Sequence, residues 1–286
     1  MRRHTGLLFV LPALIVLGML ILYPMVYTAV LSVHDQDGTY IGLENYTRMV
    51  NSRQTNIAVW NTAYYVGASI FFQILFGTLV GILLNQKFRG RAIVRAMTLI
   101  PWVIPGIVAA TVWAWMFHTE FGIINYMLTS AHVIEAPVSW LTARTTVMPA
   151  LIAINVWKLF PFVAVMVLAG LQTVPAELYE SARVDGATFW QEVWHVMIPS
   201  IRPVLTAITL LLLIWGLNAI TIIYTITKGG PANRTLITPI QIFKTAFEAF
   251  QLNQAAALSV MFLAFTIVFV IIYIRTVAGT SQERGT

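Results

Sequence analysis

Lys158 is the one charged residue in the 32-residue stretch Thr145–Ala176. On an apolar helix of about 24 residues, rising about 1.5 Å for each, it falls near mid-length. That is too deep for its ammonium to snorkel easily to water. A cation so placed is a functional candidate, lining a path, gating one or pairing with another chain. In a second apolar stretch Asn218, Thr221 and Tyr224 recur at i, i+3 and i+6, roughly one face of a helix. Ser259 adds a hydroxyl in a third stretch. Hydrogen-bonding side chains on apolar helices either meet a polar solute or bond to a neighbouring helix, and spacing alone leaves both readings open.

Covalent and metal chemistry finds no comparable candidates. There is no cysteine, hence no thiol nucleophile, disulfide or Cys-ligated metal. His4, His34, His118, His132 and His195 are scattered, with no HExxH spacing. Neither a GxSxG elbow nor a GxxxxGK[ST] phosphate loop occurs. The chain reads as non-enzymatic, with no cofactor of its own.

Composition says what must carry these residues. Of 286 residues, 58% are hydrophobic and only 10% charged, with a mean hydropathy of +0.79. A soluble domain is about 25% charged and could not cover itself this way, so the reading is a polytopic membrane protein. The pI of about 9.7 then reflects basic residues in cytoplasmic loops rather than nucleic-acid binding. Uncharged runs predict an all-α integral membrane fold of six transmembrane helices, near 7–32, 60–84, 96–117, 148–171, 204–226 and 255–275. The run Gly6–Val33 has 28 residues, far beyond the about 7–15 of a signal peptide, and is expected to be retained. Pro101, Pro105 and Pro161 are expected to kink their helices. The outer loops 34–59, 118–147 and 227–254 have room for short surface helices, and one transmembrane domain accounts for residues 1–286. No internal repeat is evident, which weighs against an inverted-repeat carrier.

With the N-terminus inside, ten basic residues fall on inner segments: Arg2, Arg3, Lys87, Arg89, Arg91, Arg95, Arg183, Arg202, Arg275 and Arg284. Six fall outside: Arg48, Arg53, Arg144, Lys228, Arg234 and Lys244. Both termini are therefore expected in the cytoplasm.

The inner connection 172–202 is too structured for a simple linker. Pro175 suits a helix start over Ala176–Val184, and Gly186 can supply the left-handed residue that stops it. Thr188 and Gln191 form a capping box for a second helix. Along that helix Trp190, Val193, Trp194 and Met197 make one apolar stripe, ended by Pro199. Such a hairpin either lies on lipid headgroups or offers a partner a docking surface.

The residues themselves decide between these. Glu180-Ser181-Ala182-Arg183-Val184-Asp185-Gly186-Ala187, closing at Val196-Met197-Ile198-Pro199, closely resembles the EAA loop of bacterial ABC importer permeases, with Ser181 in place of the first Ala. Leu168-Ala169-Gly170-Leu171-Gln172-Thr173-Val174-Pro175, Gly42-Leu43-Glu44-Asn45-Tyr46, Pro101-Trp102-Val103-Ile104-Pro105 and Thr227-Lys228-Gly229-Gly230-Pro231 resemble the carbohydrate-uptake branch. The Gly-Gly-Pro feature is similar to the maltose-permease F-type subunit. That subunit has extra N-terminal helices and a large outer domain, so the likeness here is to the minimal six-helix form.

The resemblance implies a type I ABC importer permease fold in the bacterial cytoplasmic (inner) membrane, forming half of a pore for a sugar, glycoside or related polyol. A glycerol 3-phosphate-type importer is the alternative, with a stand-alone secondary carrier behind it. It implies four kinds of partner: a second homologous permease, two ATPase subunits that hold the ATP and Mg, an extracytoplasmic solute-binding protein, and the lipid bilayer. It assigns ATPase coupling to Glu180, Ser181, Ala182, Asp185, Gly186 and Pro199. It makes Asn218, Thr221, Tyr224, Ser259 and Lys158 candidates for the solute pathway, with Lys158 closer to structure or gating.

Overall fold

A computed structural model describes residues 3–278, and side chains over 10–276. Arg2 and Arg284, which count towards the orientation, lie outside the described residues. Among the described residues five helices are long and apolar enough to cross a membrane: Val10–Ser32, Arg53–Asn85, Val147–Gln172, Arg202–Thr227 and Leu252–Thr276. A bent pair, Arg91–Val103 with Gly106–Met116, makes a sixth if taken as one span. No strand occurs among these residues.

The second span begins at Arg53, well before residue 60, because its polar first turn Arg53–Asn56 continues the helix. Its 33 residues, at about 1.5 Å each, exceed a hydrocarbon core of about 30 Å. The third span is bent by 94°. Pro105 forces the residue before it out of helical geometry, and Ile104 is extended at φ −60°, ψ 129°. Pro101 and Pro161 lie inside continuous helices. The fifth span also departs from a continuous helix. It stops at Leu217, with Asn218 as cap, and restarts at Thr221.

Packing within the chain gathers in two compact units. One comprises Met1–Asn56 and Ile240–Val268. In it the buried Asn253 amide donates to the carbonyls of Leu31, His34 and Asp35 at 2.9–3.1 Å. Asn45 donates to Ser32 and His34 at 3.0 and 2.9 Å. Two asparagines thus satisfy the carbonyls left free where the first span ends.

The other unit, Ile57–Pro239 with Phe269–Thr286, contains the fourth span, the most buried of the set. Glycines let the second span approach it closely. A Cβ added at Gly81 would lie 2.7 Å from Val167 Cγ1 and 2.8 Å from the Ala164 carbonyl, so only glycine fits there. At the other end of the second span, Asn61 donates to the carbonyls of Asn233 and Leu236 at 2.9 and 3.0 Å. Thr62 meets Thr238 at 3.0 Å. These bonds hold the Gly-Gly-Pro segment to the second span.

Candidate functional site: an elbow and a cavity

The connection 172–202 folds as two helices joined by a tight turn. The first, Ala176–Val184, ends with Gly186 at φ +77°. Gly186 N–H bonds the Arg183 carbonyl at 3.0 Å and Ala187 N–H bonds Ala182 at 2.9 Å. This paired closure is a Schellman motif, which needs a left-handed residue and so favours glycine. One residue later the capping box opens: Thr188 N–H donates to Gln191 Oε1 at 2.7 Å. With Ala187 alone between two capping motifs, the elbow has little freedom.

Glu180, Ser181, Asp185, Gly186 and Pro199 are exposed, and Ala182 is half-buried. The first helix thus presents Glu180 and its small neighbour Ser181 outward. On the other side Tyr179 packs against the core formed by Val167, Leu171, Ile208 and Leu212. Burial first, then the Glu192 carboxylate, push the Tyr179 phenol above its usual value.

The single apolar stripe along the second helix needs correction. Val193 and Met197 are buried in the same core, whereas Trp190 and Trp194 are exposed. The reason is local winding: Val193–Met197 is π-helical. The wider turns shift register relative to a 3.6-residue helix, so the four residues divide between two faces.

The second assembly is a cavity of about 440 Å³ at the bend of the third span. Its polar wall is Tyr65, Asn155, Lys158 and Thr221, and its apolar wall includes Ile107, Leu159 and Ile222. Lys158 donates to the Ile104 carbonyl and, at 3.4 Å, to that of Trp102. These carbonyls belong to the last turn before Pro105, where intrahelical donors run out. The lysine therefore replaces missing backbone N–H groups. Tyr65 is fully buried, and its hydroxyl has no hydrogen-bond partner. Asn155 is buried one turn before Lys158, and its carbonyl accepts from Gln73 at 3.3 Å. Beside Lys158 runs an aromatic row: Trp102, Phe162 and Trp215, with ring centres 5.6 and 4.9 Å apart. Both tryptophans are partly exposed.

Asn218, Thr221 and Tyr224 do not line one unbroken helical face. Lys158 and Thr221 share the cavity. Asn218 caps the broken helix and spends its amide on the Ile214 carbonyl at 2.8 Å. Tyr224 follows the break and is half-buried. The i, i+3, i+6 relation therefore fails, because it presumed an unbroken helix. Ser259 lies in the other unit, its hydroxyl donating to Ala255 at 2.8 Å. Sequence reasoning missed Tyr65 and Asn155. Asn155, three residues before Lys158 in the same apolar run, carried a helical-face signal; Tyr65 carried none.

The chain is similar to known proteins. A family described as "Binding-protein-dependent transport system inner membrane component" matches residues 73–279. The trehalose/maltose transport system permease protein MalF of Thermococcus litoralis is 32% identical, covering 96% of this chain and 94% of its own. The sulfoquinovosyl glycerol transport system permease protein SmoG of Agrobacterium fabrum is 30% identical, covering 96% and 91%. Among solved structures, the fold matches a chain of a bacterial ABC transporter involved in the import of the acidic polysaccharide alginate. That match has a TM-score of 0.84 at 22% identity, covering 97% of this chain and 96% of the other. A structure of the alginate transporter in complex with alginate pentasaccharide-bound periplasmic protein matches with a TM-score of 0.85 at 22% identity, covering 96% and 95%.

Proposed function

This chain belongs to the binding-protein-dependent transport system inner membrane component family, and we propose that its solute is a sugar, a glycoside or a related polyol. It is a multi-pass membrane permease subunit with the fold of ABC importer permeases. The observation that carries the solute reading is the cavity. Hydroxyl, amide and ammonium groups converge there, and exposed indole faces lie on the same helices. A sugar needs that combination of hydrogen-bond partners and flat apolar surface. Relatives named for trehalose/maltose and sulfoquinovosyl glycerol support it. A phosphate-bearing polyol of the glycerol 3-phosphate type is a second reading, favoured by the Lys158 ammonium at the cavity wall.

In this reading the chain forms half of a pore with a second, homologous permease. Two ATPase subunits hold the ATP and Mg and hydrolyse the nucleotide, and an extracytoplasmic binding protein delivers the solute. The exposed helix Ala176–Val184 docks in an ATPase groove through Glu180, Ser181 and Ala182, with Asp185, Gly186 and Pro199 fixing its angle. No chemistry is required of this subunit. Nucleotide-driven closure moves the helix, and the elbow passes that motion to the spans. The test is ATP hydrolysis by the reconstituted complex, titrated with binding protein preloaded with a panel of disaccharides, glycosides and glycerol phosphates. Stimulation by a neutral glycoside is the expected result. Stimulation by glycerol phosphates alone selects the second reading, and stimulation by none of the panel removes both.

Orientation is tested separately. Reporter fusions at Gly186 and after Arg284 are expected to read cytoplasmic, and fusions near Glu44, Glu135 and Pro231 external. An external reading at Gly186 would put the helix out of reach of any ATPase.

A further inference from the structure

One ion pair crosses the elbow. Arg183, in the last turn of the helix Ala176–Val184, donates through Nε to Glu192 Oε1 at 2.9 Å. The partners differ in setting: the Arg183 side chain is 66% exposed and that of Glu192 only 6%. A carboxylate so deeply placed depends on its partner, since losing it leaves a buried charge unpaired. Around the pair the geometry closes a triangle. Its first side is the helix Ala176–Val184. Its second is the turn built from the Schellman motif and the capping box. Its third is the helix Phe189–Glu192, whose π-helical continuation buries Val193 and Met197 in one core with Val163 and Val167 of the fourth span and Ile208 and Leu212 of the fifth.

We infer that Arg183 and Glu192 are positioning residues that lock the outer helix to the elbow, so that a push on that helix moves the fourth and fifth spans rather than bending the turn. The inference rests on the docking role proposed above. Without the pair, the outer helix has few anchors. Tyr179 packs on the core from its inner face, while Glu177, Leu178, Glu180, Ser181 and Val184 are exposed. A helix hinged at one turn can yield when pressed. The pair converts the hinge into a bracket.

The chain's lack of cysteine permits a reversible test. The Arg183→Cys/Glu192→Cys double variant, assembled with its partners, is bridged by a short bis-methanethiosulfonate and later released with reductant. The readout is solute taken up per ATP hydrolysed, which a purely stabilising pair would not alter in complexes already assembled. Bridged complexes are expected to couple near the wild-type ratio, and the same complexes after release to fall at least threefold. Arg183→Gln and Glu192→Gln are expected to show the released phenotype, and the charge-exchanged Arg183→Glu/Glu192→Arg variant to recover part of the ratio. An unchanged ratio before and after release would overturn the inference. Glu180→Lys is measured in parallel. If it abolishes uptake while the ratio of the double variant stays unchanged, only the bracket fails; if it too transports normally, the docking role fails with it.

Discussion

Glu180→Lys and Gly186→Pro are expected to abolish solute uptake while the chain still reaches the membrane. Glu180 stands on the exposed side of the helix, next to the small residue Ser181, where a partner can approach closely. In the proposed ATPase contact, reversing its charge would replace an attraction with a repulsion where water is excluded and electrostatics are strong. Gly186 acts through the backbone. Proline fixes φ near −65° and has no N–H, whereas Gly186 sits at φ +77° and donates to Arg183. Alanine offers a graded control. A Cβ at this position meets nothing within 4 Å, so Gly186→Ala bears only the left-handed strain of about 1–2 kcal/mol and should retain partial transport. Uptake assays on membrane vesicles with matched protein levels distinguish these cases. Wild-type uptake by either severe variant would remove the coupling assignment.

Lys158→Met is expected to reduce uptake tenfold or more, and Lys158→Arg to keep a substantial part. The ammonium satisfies carbonyls of Ile104 and Trp102 at the break of the third span. A hydrogen bond from a charged donor contributes about 1.5–3 kcal/mol, so losing even one gives roughly a tenfold effect, at about 1.4 kcal/mol per factor of ten. Tyr65→Phe and Asn155→Ala probe the other wall and remove neutral groups. Each is worth about 0.5–1.5 kcal/mol, a few-fold increase in the solute concentration giving half-maximal uptake. The pattern matters more than any one value. Loss of rate with Lys158→Met, alongside altered half-saturation with the other two, assigns the lysine to the bend and the neutral groups to the solute. If all three leave both parameters at wild-type values, the cavity is not on the pathway.

What could be read in advance divides along a physical line. Uncharged runs located the apolar helices because bilayer crossing is a property of composition summed over about 20 residues. The turn at Gly186 and the capping box at Thr188 and Gln191 were legible because local backbone rules name the residue types. The break at Asn218–Ile220 was not, since no proline or glycine lies at those three positions. The division of Trp190 and Trp194 from Val193 and Met197 was hidden for a similar reason: it depends on π-helical winding, which tertiary packing selects. Pro101, Pro105 and Pro161 carried the same local signal, yet only Pro105 sits at a break. The cavity joins residues from the second, third, fourth and fifth spans, so its makeup is a product of helix packing. Lys158 stood out on its own; the carbonyls that it serves did not.

That pairing also bears on how the chain enters a bilayer. Taken singly, the third span brings backbone carbonyls without donors into hydrocarbon, each a cost of several kcal/mol. The fourth brings a lysine near its centre, about 2.5–3.5 kcal/mol on insertion scales. Each segment carries a local cost on release into lipid by itself. Each carries the remedy for the other, because the ammonium is the donor that the carbonyls lack. The expected order is therefore that the earlier segment is held until the later one emerges from the ribosome, so that the two partition as a hairpin. The link 118–146 between them is the length of chain over which that waiting lasts.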